Sequence, residues 1–506
     1  MSKSKVLSLT ALAEAADSYR REGRTIGLCH GTFDLLHVGH IRHFQQAAEM
    51  VDVLLVTVTG DAYVNKGPDR PVFTEQLRAE HIAALGCVES VAVNQAMTGV
   101  NVLELIKPDI YIKGEEYRDE KGDVTGNIRP EEEAVERHGG ELHFTGGVTF
   151  SSSQLLNCHF NTLPEEVSLF LRKLKAKLSP DDVVAALDSL KDLRVLVVGE
   201  SIIDEYHYVE GQGKPGKNSI MAVRYREQER FAGGAIAVAN HIAAFAGRVT
   251  LASALGEYDR HEEFIRSKLQ QNIDADFYTL HGGPTLRKRR YVQESDEKLF
   301  EVYYSSDTSF GGDEEARFCR WLEAHAGAFD LVVVPDYGNG LISSSMVEKL
   351  TNHAGLLAVN TQINSANRGY HFITRYSRAD FVALNEPELR MAFHDRHSDL
   401  ELLARKAIQQ LSASHLAVTR GSEGLLFIDQ GGKALNIPAL STKVLDRIGA
   451  GDAFLSLASI CIARGVKPEV SAFIGAAAAA LDVQIVCNRE PVSKASLAKY
   501  LTTLLK

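Results

Sequence analysis

The chain has 506 residues, 45% hydrophobic and 24% charged, the balance of an ordinary globular protein and a length that excludes a single hydrophobic core. A formal net charge of −11 excludes a surface that tracks nucleic-acid phosphates along its length, so any bound phosphate belongs in a local pocket. The six cysteines are scattered without a C-x-x-C pair, which argues against a disulfide framework or zinc knuckle and for the reducing cytoplasm.

The first 24 residues are polar and amphipathic and lack the apolar core of a signal peptide. From residue 25, short β-branched runs alternate with helical patterns. Strands are expected at 25–29, 53–58, 91–93 and 109–112, and helices at 41–50, 74–85 and 100–106. That alternation predicts a parallel sheet covered on both faces. Residues 165–193 show Lys and Leu at helical spacing interrupted by Pro180, a helical connector. A second, larger α/β unit opens with a strand at 194–199 and continues with strands at 331–334, 357–359, 381–384, 415–419 and 425–428. The apolar stretches at 453–463 and 476–480 are too short to cross a bilayer and read as buried helices, so no membrane partner is expected. The expected fold is α/β with two doubly wound domains. A Rossmann-like domain over 1–162 is followed by a helical connector over 163–192 and a larger domain over 193–506.

The first chemical motif is His37-Val38-Gly39-His40, which follows a strand and the turn Gly31-Thr32-Phe33-Asp34. A nucleotidyl transfer accumulates negative charge around the α-phosphorus, so it calls for positioned donors at a site that favours anions. Two histidines at a helix start, with Gly39 allowing close backbone approach, supply them. The run resembles the H-x-G-H signature of the cytidylyltransferase-like superfamily, over about residues 25–161. The resemblance makes His37 and His40 catalytic and gives Gly31, Thr32 and Phe33 nucleotide contacts. It also assigns phosphate contacts to Lys66 and Arg70, in a basic loop, and to Ser151, Ser152 and Ser153, in a late hydroxyl run. Lys113-Gly114-Glu115-Glu116-Tyr117 resembles the K-G-G-D-Y segment of sugar-phosphate adenylyltransferases, which makes Lys113 a further nucleotide contact.

The second motif is Gly449-Ala450-Gly451-Asp452. A kinase acting on a sugar hydroxyl needs a base for the proton and donors for the moving phosphoryl group. Small residues at a helix start expose backbone amides, and an aspartate sits in the same turn. From Asp446 onward the run resembles the D-T-x-G-A-G-D signature of ribokinase-like carbohydrate kinases, with Arg447 where Thr is usual. The resemblance makes Asp452 the base and Gly449, Ala450 and Gly451 the anion hole. It extends from residue 194 to the C-terminus and gives sugar contacts to Asp204, Gly233 and Gly234, with Ala237 where an Asn is common. Asp336 lies in a D-Y segment like that of heptose-phosphate kinases and is a further substrate candidate. Asn385 and Glu388 match an N-x-x-E element with an indirect Mg²⁺ role, and Thr419, Gly421 and Gly424 match a T-x-G-x-x-G loop against the nucleotide. The basic run Arg287-Lys288-Arg289-Arg290 fits either a solvated strand edge or a grip on a substrate phosphate. The histidines, His241 among them, lack metal-ligand spacing and read as structural or surface residues.

The two motifs together resemble the bifunctional heptose-7-phosphate kinase and ADP-heptose synthase family, whose usual order is kinase first; here the transferase comes first. The resemblance implies ATP-dependent phosphorylation of a sugar or sugar phosphate. It also implies nucleotidyl transfer from ATP or CTP to a sugar phosphate, with pyrophosphate released, in nucleotide-sugar and surface polysaccharide synthesis. Mg²⁺ would serve both sites, the partners would be sugar phosphates and nucleoside triphosphates, and both families commonly form homodimers. Two other readings stay open: a CTP-dependent polyol-phosphate cytidylyltransferase fused to a sugar kinase, and a transferase joined to a non-catalytic kinase-like sensor.

Overall fold

The structure, a computed structural model, describes residues 5–64, 70–117, 128–146, 163–213, 221–293, 297–305, 310–365, 367–441 and 443–506. The chain divides into two compact units. Met1–Val184 with Ala498–Lys506 form the first, and Ala185–Leu497 the second.

Among the described residues the first unit holds a six-stranded parallel sheet. Its strands are β1 (Val6–Leu7), β2 (Ile26–Gly31), β3 (Val53–Thr59), β4 (Ser90–Asn94), β5 (Ile110–Gly114) and β6 (Glu141–Thr145), in the order β1-β4-β3-β2-β5-β6. β2 and β3 are almost continuously apolar and buried, as strands covered on both faces must be. From β2 the chain steps one way through β3 to β4, then crosses back to lay β5 on the other side of β2. The carboxyl ends of β2 and β5 therefore flank the topological switch point, where open α/β sheets bind ligands. The opening residues are more ordered than their polar composition suggests. β1 pairs with β4, and Ser8 caps the helix Leu9–Arg21, which buries Leu12 and Ala16. In the stretch expected to be helical, Pro180 opens the helix Pro180–Asp188 after a separate helix Glu165–Lys175, a position where its missing amide costs nothing.

The second unit is built on a nine-stranded sheet and a separate four-stranded one, among the described residues. The strands are β7 (Arg194–Val198), β8 (Ser201–Gly213), β9 (Ala222–Gly234), β10 (Arg248–Tyr258), β11 (Ile273–Pro284), β12 (Arg287–Gln293), β13 (Lys298–Tyr304), β14 (Leu331–Asp336), β15 (Leu357–Thr361), β16 (Phe381–Asn385), β17 (His415–Thr419), β18 (Leu425–Asp429) and β19 (Ala434–Ile437). The large sheet runs β11-β10-β7-β14-β15-β16-β17-β18-β19, with its switch point between β7 and β14. The small sheet runs β13-β12-β8-β9. Hydrophobic runs alone do not predict the strands of the small sheet, because much of their sequence is charged: β9 carries Arg-Tyr-Arg-Glu-Gln-Glu-Arg with most of those side chains exposed. The helices Ala450–Ala463 and Pro468–Asp482 are buried on nearly every side, as their small and apolar composition predicts. Among the described residues no helix is long and apolar enough to cross a membrane.

Candidate active sites

In the first unit, β2 ends in the turn through Gly31, Thr32 and Phe33 that leads to the helix Val38–Glu49. Asp34 is buried and closes this turn on a later loop. Its Oδ1 accepts from the amides of Val72 (2.7 Å) and Phe73 (3.2 Å), and its Oδ2 pairs with Arg70 at 3.2 Å. Arg78, only 1% exposed, donates to the carbonyls of Thr32, Thr59 and Phe73 and to Asp61. An arginine so buried must have every donor matched, and here the matching ties the ends of β2 and β3 together.

His37 caps the helix, its Nδ1 accepting from the Gly39 amide at 3.1 Å. The His37 and His40 rings stack at 3.9 Å, and Phe33 meets His40 edge-on at 5.2 Å. The H-x-G-H pair is thus one imidazole stack at a helix N-terminus. The pairing of Cys29 with Ile112 sets Lys113, at the end of β5, beside His30. Lys113 ion-pairs with Glu131 at 2.9 Å, and Glu131 also accepts from the Tyr111 hydroxyl (2.8 Å) and the Gly99 amide (2.9 Å). Burial opposes the charge on Glu131, but Lys113 and His30 outweigh it and hold the carboxyl below its usual range. Burial, seconded by Lys113, pushes His30 and His43 down to about 4, so both rings are neutral at pH 7. They bond to the hydroxyls of Thr57 (2.9 Å) and Thr145 (2.7 Å). Arg70 and Lys113 therefore each already hold a carboxylate. Lys66, Ser151, Ser152 and Ser153 lie outside the described residues.

In the second unit, Gly449 caps the helix Ala450–Ala463 with φ 103°, which aims the first amides of Ala450 and Gly451 outward and sets Asp452 in the opening turn. No other residue adopts that φ without strain, and a Cβ there would stand 2.7 Å from Asp482 Oδ2 and 2.9 Å from Asn488 Oδ1. Asp482 is fully buried, with His241 Nε2 3.4 Å from Oδ1. Burial, then Asp452 and Asp446, push its carboxyl far up from the usual range. His241, read as structural or surface, lies inside: its Nδ1 accepts from the Val492 amide. The turn is fixed on its other flank by Asp446, which accepts from Tyr206 (2.6 Å), Lys298 (2.5 Å) and the amides of Ile448 and Cys487 (both 3.1 Å).

Burial pushes the Asp452 carboxyl up to about 7, the Tyr337 phenol working against that shift and Asp204 with it. Gln362 Nε2 lies 3.3 Å from Asp452 Oδ1. Asp204 stands on β8, ion-paired to Arg290 of β12, and its Oδ2 fills the space a Cβ on Gly233 would need. Gly234 then caps the helix Ala235–Ala243. Asp452, the Gly449–Gly451 turn, Asp204, Gly233 and Gly234 thus form one cleft.

Other expected residues have partners of their own. Asp336 is 0% exposed; Tyr376 (2.8 Å) and Arg375 (3.1 Å) hold its Oδ2, and the Gly338 amide and His371 its Oδ1. Asn385 and Glu388 cap the helix Glu386–Ala392 reciprocally, each side chain accepting from the other's amide at 2.8 and 2.9 Å. Glu388 also accepts from the Ile363 amide, and burial pushes it up to about 7. Among the described residues no group of three or more His, Cys, Asp or Glu is gathered as for a metal ion. Thr419, Gly421 and Gly424 form the tight turn from β17 to β18, closed by the Arg420 amide on the Gly424 carbonyl (2.8 Å).

Sequence reasoning missed Asp34, Arg78, Glu131, Glu200 and Asp482. Glu200 lies just after β7 at the second switch point and accepts from the amides of Tyr337 (3.1 Å) and Asn339 (3.0 Å); burial and then Asp336 push it up to about 7. The available signal was a charged residue inside an apolar helix or at a strand end, as Asp482 closes an alanine-rich helix.

The sequence model of the pfkB family carbohydrate kinases matches residues 192–493, and the cytidylyltransferase-like model matches residues 28–138. Bifunctional protein HldE of Trichlorobacter lovleyi is 27% identical over 314 residues, 60% of this chain and 63% of that protein. Bifunctional protein HldE of Syntrophotalea carbinolica is 36% identical over 141 residues, 28% of this chain and 27% of its own length. The matched region therefore spans less than two thirds of either relative. Among solved structures, phosphofructokinase-2 from Escherichia coli in complex with potassium matches with a TM-score of 0.51 at 15% identity, covering 62% of this chain and 100% of that one. That likeness shows the fold of the second unit.

Proposed function

Since this chain belongs to the pfkB family of carbohydrate kinases, we propose that it is a bifunctional transferase that phosphorylates a heptose-like sugar or sugar phosphate with ATP and transfers a nucleotidyl group to a sugar phosphate. In the first reaction Asp452 takes the proton from the acceptor hydroxyl, whose oxygen attacks the γ-phosphorus of ATP as ADP leaves. The outward amides of the Gly449–Gly451 turn neutralise the charge on the transferred group. Asp204 orients the sugar hydroxyls, its own position held by Arg290. In the second reaction a phosphate oxygen of the sugar phosphate attacks the α-phosphorus of a nucleoside triphosphate. Pyrophosphate leaves while His37 and His40 steady the negative charge at the helix N-terminus.

Mg²⁺ would arrive on the triphosphate, shielding its oxygens. The observation that carries this reading is that each unit sets a motif-bearing helix start beside the carboxyl ends of the parallel strands of its own sheet. The names of the HldE relatives, which call those proteins bifunctional, agree with it. We extend the reading to a cytoplasmic homodimer serving nucleotide-sugar and surface polysaccharide synthesis. The test is to incubate purified protein with ATP or CTP and a panel of heptose, pentose and polyol phosphates, measuring ADP and pyrophosphate. Formation of neither product overturns the proposal, and the nucleotide panel separates an adenylyl from a cytidylyl donor.

A further inference from the structure

We propose that Lys288 binds an anionic group on the acceptor of the kinase site, a phosphate ester carried by the sugar; this rests on the kinase reading above. The run Arg287-Lys288-Arg289-Arg290 is the densest basic stretch on β12, and its four members differ in what they face. Arg287 lies 3.5 Å from Glu205 and 3.4 Å from Asp259. Arg289 pairs with Glu205 at 2.9 Å, and Arg290 with Asp204 and, at 3.2 Å, Glu301. Each arginine is thus neutralised. Lys288 has no carboxylate partner among the described residues; its ammonium stands 5.5 Å over the Tyr303 ring.

Strand geometry says which way that charge looks. Side chains alternate along β12, so Lys288 and Arg290 share one face and Arg287 and Arg289 the other. Register pairs Lys288 with Asp204 of β8, and paired residues of neighbouring strands project from the same face. That face meets the catalytic cleft through Asp204, whose Oδ2 lies against Gly233, and the Lys288 charge also favours the ionised form of Asp452. The strand end across the cleft, Asn360-Thr361-Gln362, brings no cation: Asn360 donates to the Ala383 carbonyl and Gln362 lies on Asp452. A neutral sugar would leave Lys288 without a counter-charge beside Asp204. A sugar phosphate would supply one, with its hydroxyls on Asp204 and its phosphate on the ammonium.

The test compares wild type with Lys288→Gln and Lys288→Arg on heptose 7-phosphate and the free heptose, following ADP, together with calorimetric binding of heptose 7-phosphate and of inorganic phosphate to the full chain. One charge-assisted bond is worth roughly a 10- to 100-fold change. We expect K288Q to raise KM for the phosphorylated sugar by that factor with kcat little changed, to leave the free heptose unaffected, and to be rescued in part by K288R. Equal effects on both acceptors, or a fall in kcat at constant KM, would overturn the assignment in favour of a role at the transferred phosphoryl group. Failure of wild type to bind either phosphate would also overturn it. Binding that K288Q abolishes, without turnover in wild type, would uphold Lys288 and remove the kinase reading instead.

Discussion

The two clefts are prepared for phosphate in opposite ways. In the first unit the buried charges are already matched, Lys113 with Glu131 and Arg70 with Asp34, and the nearby His30 and His43 are neutral. In the second, Glu200, Glu388 and Asp452 are all pushed up to about 7 by burial, and Asp482 is raised as well. In the first cleft Glu131, held low, and His30 and His43, held at about 4, keep their charge states around neutrality. The second sits at its own titration point, suited to a group that must accept a proton during turnover.

The sharpest way to separate them is to remove one reacting group at a time. Asp452→Asn should lower ADP formation by about 10²- to 10⁴-fold, the range of general-base catalysis, while pyrophosphate release continues. His40→Ala should lower pyrophosphate release by roughly 10²- to 10³-fold with ADP formation retained. If either variant lost both products, the two clefts could not be treated as independent.

The next effect is on stability. Glu131→Leu strands Lys113 in a buried site and should destabilise the first unit by about 3–5 kcal/mol in denaturant unfolding; adding Lys113→Met should recover most of it. Recovery in the double variant would show that the matched charge, and not the shape of the pocket, sets this cleft.

How much of this was legible in the sequence differs between the units for a physical reason. Apolar periodicity gave the strands at 53–58 and 381–384 and the helix at 100–106, because burial on both faces writes itself into composition. It did not give the strands of the small sheet, whose charged residues are satisfied by cross-strand partners, such as Arg289 with Glu205. Local motifs located His37, His40 and Asp452, since a helix start and a glycine turn are short-range features. The residues that fix those motifs were hidden by distance along the chain: Tyr206 meets Asp446 across 240 positions, and Arg78 reaches Thr32 across 46. N-x-x-E at 385–388 shows the converse, a motif whose visible geometry is a helix cap.

Smaller effects follow from the titration of the second cleft. A base at about 7 must be ionised to act, so kcat/KM for ADP formation should rise about tenfold per pH unit below 7 and level off above it. Stability should move the other way. Carboxyls raised from ordinary values to about 7 bind protons more tightly folded than unfolded, so the stability they confer at low pH is lost as pH climbs through 7. Glu388→Gln keeps the cap and removes one of these groups, and should make the melting temperature of the second unit less dependent on pH between 5 and 8. An unchanged slope would mean that Glu388 is ionised in the folded protein.

The glycine at 449 also bears on how this sequence can drift. Its backbone angle and the Asp482 oxygen behind it are separate obstacles, so no single-residue exchange at 449 is neutral. Shrinking residue 482 would open the space but leave the angle, and would strip His241 of its neighbour. Positions 449, 482 and 241 should therefore change together or stay fixed across related chains, a covariation signal that a family alignment can read without any assay.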